Sequence, residues 1–351
     1  MRRVWLALCA LLLVGCSATL DPGYYWQSVS GHLQMVRAAR SVDDWLADAQ
    51  TSAALRLKLQ QAQHLRRFAV TELGLPDNAS YTRYADLKRR AAVWNVVAAP
   101  DDALQLKQWC FLALGCVGYR GYFDEAEARA FADAVRQAEP ALELGVYPVP
   151  AYSTLGWTNW MGGDPLLSTF IGYPEGELAR LIFHELAHQV VYVRDDTVFN
   201  ESFATAVERL GGARWQATAS EAARTDYARF DERRQQFRAL ARQTRDALRV
   251  AYALPDRTQR LTAKHAAMAG FRSGYDALKV HWNGFAGYDA WALQANNALF
   301  AAQAAYDELV PAFEALFERE GRDFARFYDA VRVLARLPKD ERRSALLAQR
   351  F

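Results

Sequence analysis

Apolar residues return every three or four positions along most of the chain, a period that predicts helices. Val29, Leu33, Val36 and Ala39 mark one over residues 29–39. Leu55, Leu59, Ala62, Leu65, Ala69 and Leu73 mark a second over 55–73, closed by the turn residues Gly74-Leu75-Pro76-Asp77-Asn78. The stretch 84–99 reads differently, because Val93, Trp94, Val96 and Val97 favour a strand near its end. Helical spacing resumes over 124–139 and stops at Pro140. Residues 145–152 are β-rich but contain Pro148 and Pro150, so they read as an edge strand or an extended segment. A loop rich in Gly, Asn, Trp and Asp-Pro follows over 156–172. From Glu175 the pattern is helical again, punctuated by Gly211-Gly212. Ala222, Tyr227, Phe230, Phe237, Leu240 and Leu248 trace one long amphipathic stretch, and 297–317 and 324–337 trace two more. There is no solenoid repeat and no low-complexity tract. The expected fold is mainly α with a small central β-sheet, an α+β arrangement.

The first residues belong to another class. Met1-Arg2-Arg3 is basic, residues 4–14 are uncharged and largely apolar, and Leu13-Val14-Gly15-Cys16 follows. A basic start, a short apolar run and small residues describe a secretory leader. The run is shorter than the roughly 20 residues that span a bilayer. Leu13 to Cys16 resembles the lipobox of bacterial lipoproteins. That resemblance implies cleavage of residues 1–15 and lipid on Cys16. Ser17, standing where Asp would be a retention signal, implies the outer membrane, facing the periplasm. Loss of the leader removes two arginines and no acid, leaving 40 basic residues against 40 acidic ones. A balanced chain gives no electrostatic case for nucleic acid, and membrane contact is expected through the lipid alone. Cys110 and Cys116 then remain, with five residues between them, and an exported chain meets an oxidising compartment. A disulfide is the expected reading; a metal-binding pair is the alternative.

His184-Glu185-Leu186-Ala187-His188 lies within a helical pattern over 176–193. Two histidines four apart stand one turn above each other on a helix face, so their ring nitrogens can converge on a metal. Glu185 projects about 100° away around the helix and can reach an attacking water without being a ligand. Asn200-Glu201-Ser202-Phe203-Ala204 starts a second helical pattern thirteen residues after His188, with Asp195-Asp196 as a turn between. That second helix can fold back and present Glu201. Two His, one Glu and an open fourth position form a catalytic zinc set. Val191 and Arg194 stand where the metzincin pattern needs Gly and His, so the third ligand is not a histidine there.

With these residues the chain resembles the gluzincin type of zinc peptidase, and more narrowly a bacterial family of predicted aminopeptidases. The likeness is carried by 73–78, 109–116, 119–123, 151–157, 164–168, 183–189 and 199–204, and extends through 296–298 and 306–313. Extra residues at 158–163 and Leu112 depart from it. The resemblance implies a zincin-like core with added N- and C-terminal helices, one Zn2+ per chain on His184, His188 and Glu201, Glu185 as catalytic base, and a peptide substrate. It divides the chain into a leader (1–15), a catalytic region with N-terminal helices (16–212) and a helical C-terminal region packing on it (213–351). Residues 151–157 occupy the place of a substrate-lining strand, so Tyr152, Ser153, Thr154, Leu155 and Gly156 are candidate substrate contacts. Tyr152 and Tyr306 are candidate oxyanion donors. The segment lacks the acid with which Gly-x-Met-Glu-Asn aminopeptidases hold a free amine. An endopeptidase, a hydrolase of another amide, or a non-catalytic zinc-containing scaffold or chaperone therefore stays open. The expected setting is the bacterial cell envelope.

Overall fold

The computed structural model describes residues 21–111, 115–156 and 159–348. The leader, Cys16, Leu112 and Trp157 lie outside them. Helix α1 (Pro22–Ala38) starts on Asp21, whose carboxylate accepts the Tyr24 N–H at 3.1 Å, with proline in the first turn. Ser41 and Ser52 cap α2 (Val42–Ala47) and α3 (Ala53–Thr71) in the same way. Helix α3 buries Leu59, Ala62, Leu65 and Ala69 from its predicted stripe. It ends before Gly74, which adopts φ +62°.

The β structure is split into small pieces rather than gathered into one central sheet. Strands β1 (Arg40–Ser41), β2 (Arg83–Ala85) and β8 (Leu166–Leu167) form one sheet, in the order β1-β2-β8. Strands β3 (Val93–Pro100), β6 (Arg120–Tyr122) and β7 (Leu142–Val149) form another, in the order β6-β3-β7. Strands β4 (Trp109–Phe111) and β5 (Gly115–Val117) pair as a hairpin that places Cys110 opposite Cys116, and these two form a disulfide. Pro148 sits in β7 at a sheet edge, as a residue without an N–H requires. Helix α4 (Glu125–Ala138) covers one face of this sheet, packing Ala128 and Ala132 on Trp94, Val96 and Val146.

Helices α5 (Glu175–Ala187) and α6 (Thr197–Gln216) pack closely together. Helix α5 stops at Ala187 instead of running to 193. The following chain is clasped by Asn200, whose side chain accepts the Val193 N–H at 2.8 Å and donates to the Val193 carbonyl at 2.7 Å. Helix α6 passes through Gly211-Gly212 without a break. A Cβ at 211 would stand 2.6 Å from Leu73, and one at 212 would stand 2.7 Å from the Tyr227 hydroxyl, so these glycines serve close packing rather than termination.

Helices α7 (Glu221–Tyr252) and α8 (Arg257–His281) form a long pair with their own core around Phe237, Phe271 and Tyr275. The chain continues through α9 (Asp289–Leu293), α10 (Asn297–Ala305), α11 (Val310–Arg319), α12 (Phe324–Ala335) and α13 (Lys339–Leu347). The pattern over 297–317 is thus two helices. Ser202 holds the break, its hydroxyl donating to the Ala305 carbonyl at 2.9 Å and accepting the Leu309 N–H at 3.2 Å. The largest core joins residues of α3, α5, α6, α11, α12 and α13, so the C-terminal helices share it with the helices bearing His184 and Glu201. No helix among the described residues is long and apolar enough to cross a membrane.

Candidate metal centre

Helix α5 presents His184 near its end and His188 at its C-cap, with the two rings 4.9 Å apart between centroids. Helix α6 brings Glu201 to them from its second turn. Its Oε2 stands 3.4 Å from His184 Nε2 and 3.6 Å from His188 Nε2. One ligand atom from each residue can be chosen so that all three lie within 4.8 Å of one another. Two imidazole nitrogens and a carboxylate oxygen are a donor set that zinc takes in catalytic sites, so the residues present fit such an ion. The Nδ1 of His188 is buried and has no partner, unlike that of His184.

His184 Nδ1 meets Glu208 Oε2 at 2.9 Å, and the other oxygen of Glu208 pairs with Arg180. Arg180 lies one turn before His184 on the same face of α5, and Glu208 lies two turns after Glu201 on α6. Arg180 is 3% exposed and also meets the Tyr227 hydroxyl at 3.1 Å and Asp231 at 3.3 Å. Burial opposes the charge on Glu208, but the Arg180 guanidinium and His184 together outweigh it and hold the carboxyl well below the usual range. Burial opposes the charge on Glu201 as well. There the histidines prevail and bring the carboxyl down to about 2. Two anionic carboxylates therefore face the pair of imidazoles, one at the ligand position and one behind it.

Glu185 is half-buried, and burial raises its carboxyl while His184 and His188 pull it back down. Of the two candidate oxyanion donors, Tyr306 is the one brought against the histidines. It follows the last residue of α10, and its ring stacks on His184 at 6.1 Å. Tyr119, Tyr147 and Tyr192 lie near enough to Glu201 for its charge to raise their hydroxyls, with burial the larger cause in each. Tyr152 packs its ring on Phe123 at 5.1 Å and on His32 at 5.8 Å.

The neighbours of Tyr152 are engaged by a buried acid. Asp164 accepts the Thr154 N–H at 3.0 Å and its hydroxyl at 2.7 Å, while Leu155 N–H bonds the Ser153 hydroxyl at 3.2 Å. Burial lifts the Asp164 carboxyl to about 6, with the Thr154 bonds opposing and the nearby Glu185 charge adding to it. Gly156 approaches Gln189, the residue after His188, closely enough that a Cβ would stand 3.2 Å from its side-chain oxygen. The described part of 151–157 thus lies beside the end of α5 as a bonded loop, with part of its backbone already hydrogen-bonded.

The residues that sequence reasoning missed are Arg180, Glu208, Asp164 and the tyrosines at 119, 147 and 192. Glu208 carried one signal, its seven-residue spacing from Glu201, and Tyr119 and Asp164 lay in segments that carry the family likeness. A family described as putative aminopeptidase matches the chain over residues 23–346. No curated protein and no solved structure matches it.

Proposed function

From the chain's membership of this putative aminopeptidase family, to which it belongs over residues 23–346, we propose a gluzincin-type zinc peptidase with His184, His188 and Glu201 as ligands and Glu185 as the base. The family makes the chain a peptidase and its substrate a peptide. The observation that carries the finer reading is the convergence of both imidazole Nε2 atoms on one Glu201 oxygen, at 3.4 and 3.6 Å. When bound, a zinc ion would polarise the scissile carbonyl and acidify the attacking water.

Glu185 follows His184 directly but points to another side of α5, which suits it to take the proton of that water. The same carboxyl can then hand the proton to the leaving amine. Its partial burial favours the protonated form that this second step needs. Glu208 keeps the Nδ1 proton of His184, leaving Nε2 free as a donor. Tyr306, whose ring stacks on His184, would donate its hydroxyl proton to the developing oxyanion. The zincin-like core, the lipid on Cys16 and a position in the cell envelope, at the outer membrane facing the periplasm, belong to the same proposal.

An endopeptidase is the second reading. Glu208 and Asp164, the carboxylates behind the ligands and near Glu185, are already held by Arg180 with His184 and by Thr154. Neither is free to take a substrate amine. The test is a peptide-library digest by purified, zinc-loaded protein, read by mass spectrometry, beside Glu185→Gln. The parent should cleave, and the variant should keep the metal and the fold but lose hydrolysis. Equal rates would overturn the role of Glu185, and removal of single N-terminal residues would decide against an endopeptidase.

A further inference from the structure

A cavity of about 530 Å³ opens beside the first turn of α6, walled by Thr197 and Val198, by Ala301, Ala304 and Ala305 of α10, and by Gly118. These are the segments that deliver the metal-site side chains. Thr197 stands one turn before Glu201 on the same face of α6, Ala305 precedes Tyr306, and Gly118 precedes Tyr119. One turn advances about 5.4 Å, and an extended peptide advances about 3.3–3.6 Å per residue. Along α6 the step from Glu201 to the cavity wall at Thr197 is thus about the span of two residues of an extended peptide.

Arg245, Arg249, Lys339 and Arg343 face the cavity, against Asp195, Asp196 and Glu308. The three acids are occupied. Asp195 accepts the Cys116 N–H at 2.5 Å, Asp196 caps α6 and lies 3.4 Å from Arg342, and Glu308 pairs with Arg343. Arg245 is the under-neutralised cation. It is 5% exposed, its Nε has no partner, and its guanidinium reaches Gln303 at 3.5 Å and Asp307 at 3.9 Å. Asp307 is itself shared with Arg238 at 3.4 Å. Lys339 donates only to a carbonyl, that of Asp195, at 3.0 Å. The N-terminus of the 20-residue α6 adds positive potential to the same space. A buried guanidinium that faces a cavity, and whose one carboxylate partner is 3.9 Å away and shared with a second arginine, has room for an anion from outside.

We propose that this cavity is a carboxylate-binding subsite of the peptidase, with Arg245 and Lys339 as its anion contacts. It takes an acidic side chain or the C-terminal carboxylate of the peptide held at the metal centre. The inference rests on the peptidase reading, and its test separates the two. Short alanine peptides are compared as free acids and as amides, and amidated peptides with glutamate scanned through each position are compared with their glutamine counterparts. The first comparison reports a C-terminal carboxylate, the second an acidic side chain.

The metal-loaded parent should prefer the carboxylate member of at least one pair by about 10- to 100-fold in kcat/KM, as hydrogen bonds to a charged group allow, with the difference in KM. Arg245→Gln should bring that ratio towards one, and Arg245→Lys should restore part of it. A parent without preference, or an unchanged ratio in Arg245→Gln, overturns the proposal. If Arg245→Gln does not fold, the exposed Lys339→Gln decides by the same ratio. If no peptide is cleaved, calorimetric binding of the same pairs decides. A carboxylate preference lost in the variant then upholds the subsite while the peptidase reading fails, and equal binding sinks the subsite.

Discussion

Replacing Glu208 with Gln tests whether the acid behind His184 governs metal binding. The substitution keeps the shape of the side chain and removes its charge. In the parent one oxygen holds His184 Nδ1 at 2.9 Å and the other holds Arg180. The amide can still accept from Nδ1, but more weakly, and it can also turn its NH2 towards the ring and favour the wrong tautomer. Loss of such an outer partner costs about 10- to 100-fold in metal affinity, or about 1.4–2.8 kcal/mol. Stability should fall too, because Arg180 is buried. Breaking a buried ion pair from one side costs about 3–5 kcal/mol. Asp231 at 3.3 Å and Tyr227 at 3.1 Å remain with Arg180, so the lower end of that range is the expectation. Competition with a chromophoric chelator at fixed pH measures the zinc dissociation constant, and circular dichroism confirms that the variant is folded. A folded Glu208→Gln protein that binds zinc within about twofold of the parent would falsify the orienting role. Glu208→Asp restores the charge on a shorter arm and should fall between the two.

Three further outcomes are expected. Asp164 has a folded pKa of about 6 against a usual 3.8, so its contribution is full below about pH 3.8 and lost as pH rises through about 6. Unfolding measured from pH 4 to 7 should show the parent losing up to about 3 kcal/mol relative to Asp164→Asn; parallel profiles would refute the burial argument. Cys110→Ser/Cys116→Ser should lower stability to denaturant by about 2 kcal/mol, the loop-closure value for so short a ring, and identical midpoints would show that the disulfide constrains nothing. Wild-type protein should fractionate with membranes carrying a modified Cys16 at its N-terminus, whereas Cys16→Ala should not be lipidated; an unmodified mature N-terminus at another residue sinks the anchor.

What the sequence disclosed of the fold follows one rule. Elements specified by their own period were legible. Helix α3 buries four of the six apolar residues that marked it, α4 lies within one residue of the predicted bounds at each end, and the stripe over 222–248 lies inside α7. Elements shaped by a distant side chain were not. Periodicity carried the His184 helix to 193, and nothing local shows that Asn200 seizes Val193 and ends it at Ala187. The pattern over 297–317 likewise hides a break that Ser202 imposes from another helix. Gly211-Gly212 misled in the opposite direction. Two glycines cost a helix about 1 kcal/mol each, which reads as a stop, but here Leu73, Phe183 and Tyr227 approach the bare backbone and their packing offsets that cost.

The site divides along the same line. His184, Glu185 and His188 belong to one helix, so their mutual placement is fixed by α-helix geometry and visible as spacing. Glu201 needed one further step, a short turn and a second helix folding back. Glu208 sits on the face already marked by Glu201, but an acid at seven-residue spacing is common on any solvated helix. Only the burial of Arg180 beside it turns that spacing into an orienting contact. Tyr119, Tyr147 and Tyr306 reach the metal centre from the residue preceding β6, from β7 and from the end of α10. No local pattern relates three residues whose proximity depends on the α10–sheet contact. That contact depends in turn on Gly145, where a Cβ would stand 2.7 Å from Leu299 of α10. A single methyl group at 145 should therefore crowd the Leu299 side chain and loosen the contact that seats α10 and Tyr306, while leaving the histidine spacing intact. Legible candidate ligands and illegible surroundings are thus physically separable parts of the centre: under the proposed function the first would still hold a metal when the second is disturbed, and the second would shape what that metal meets.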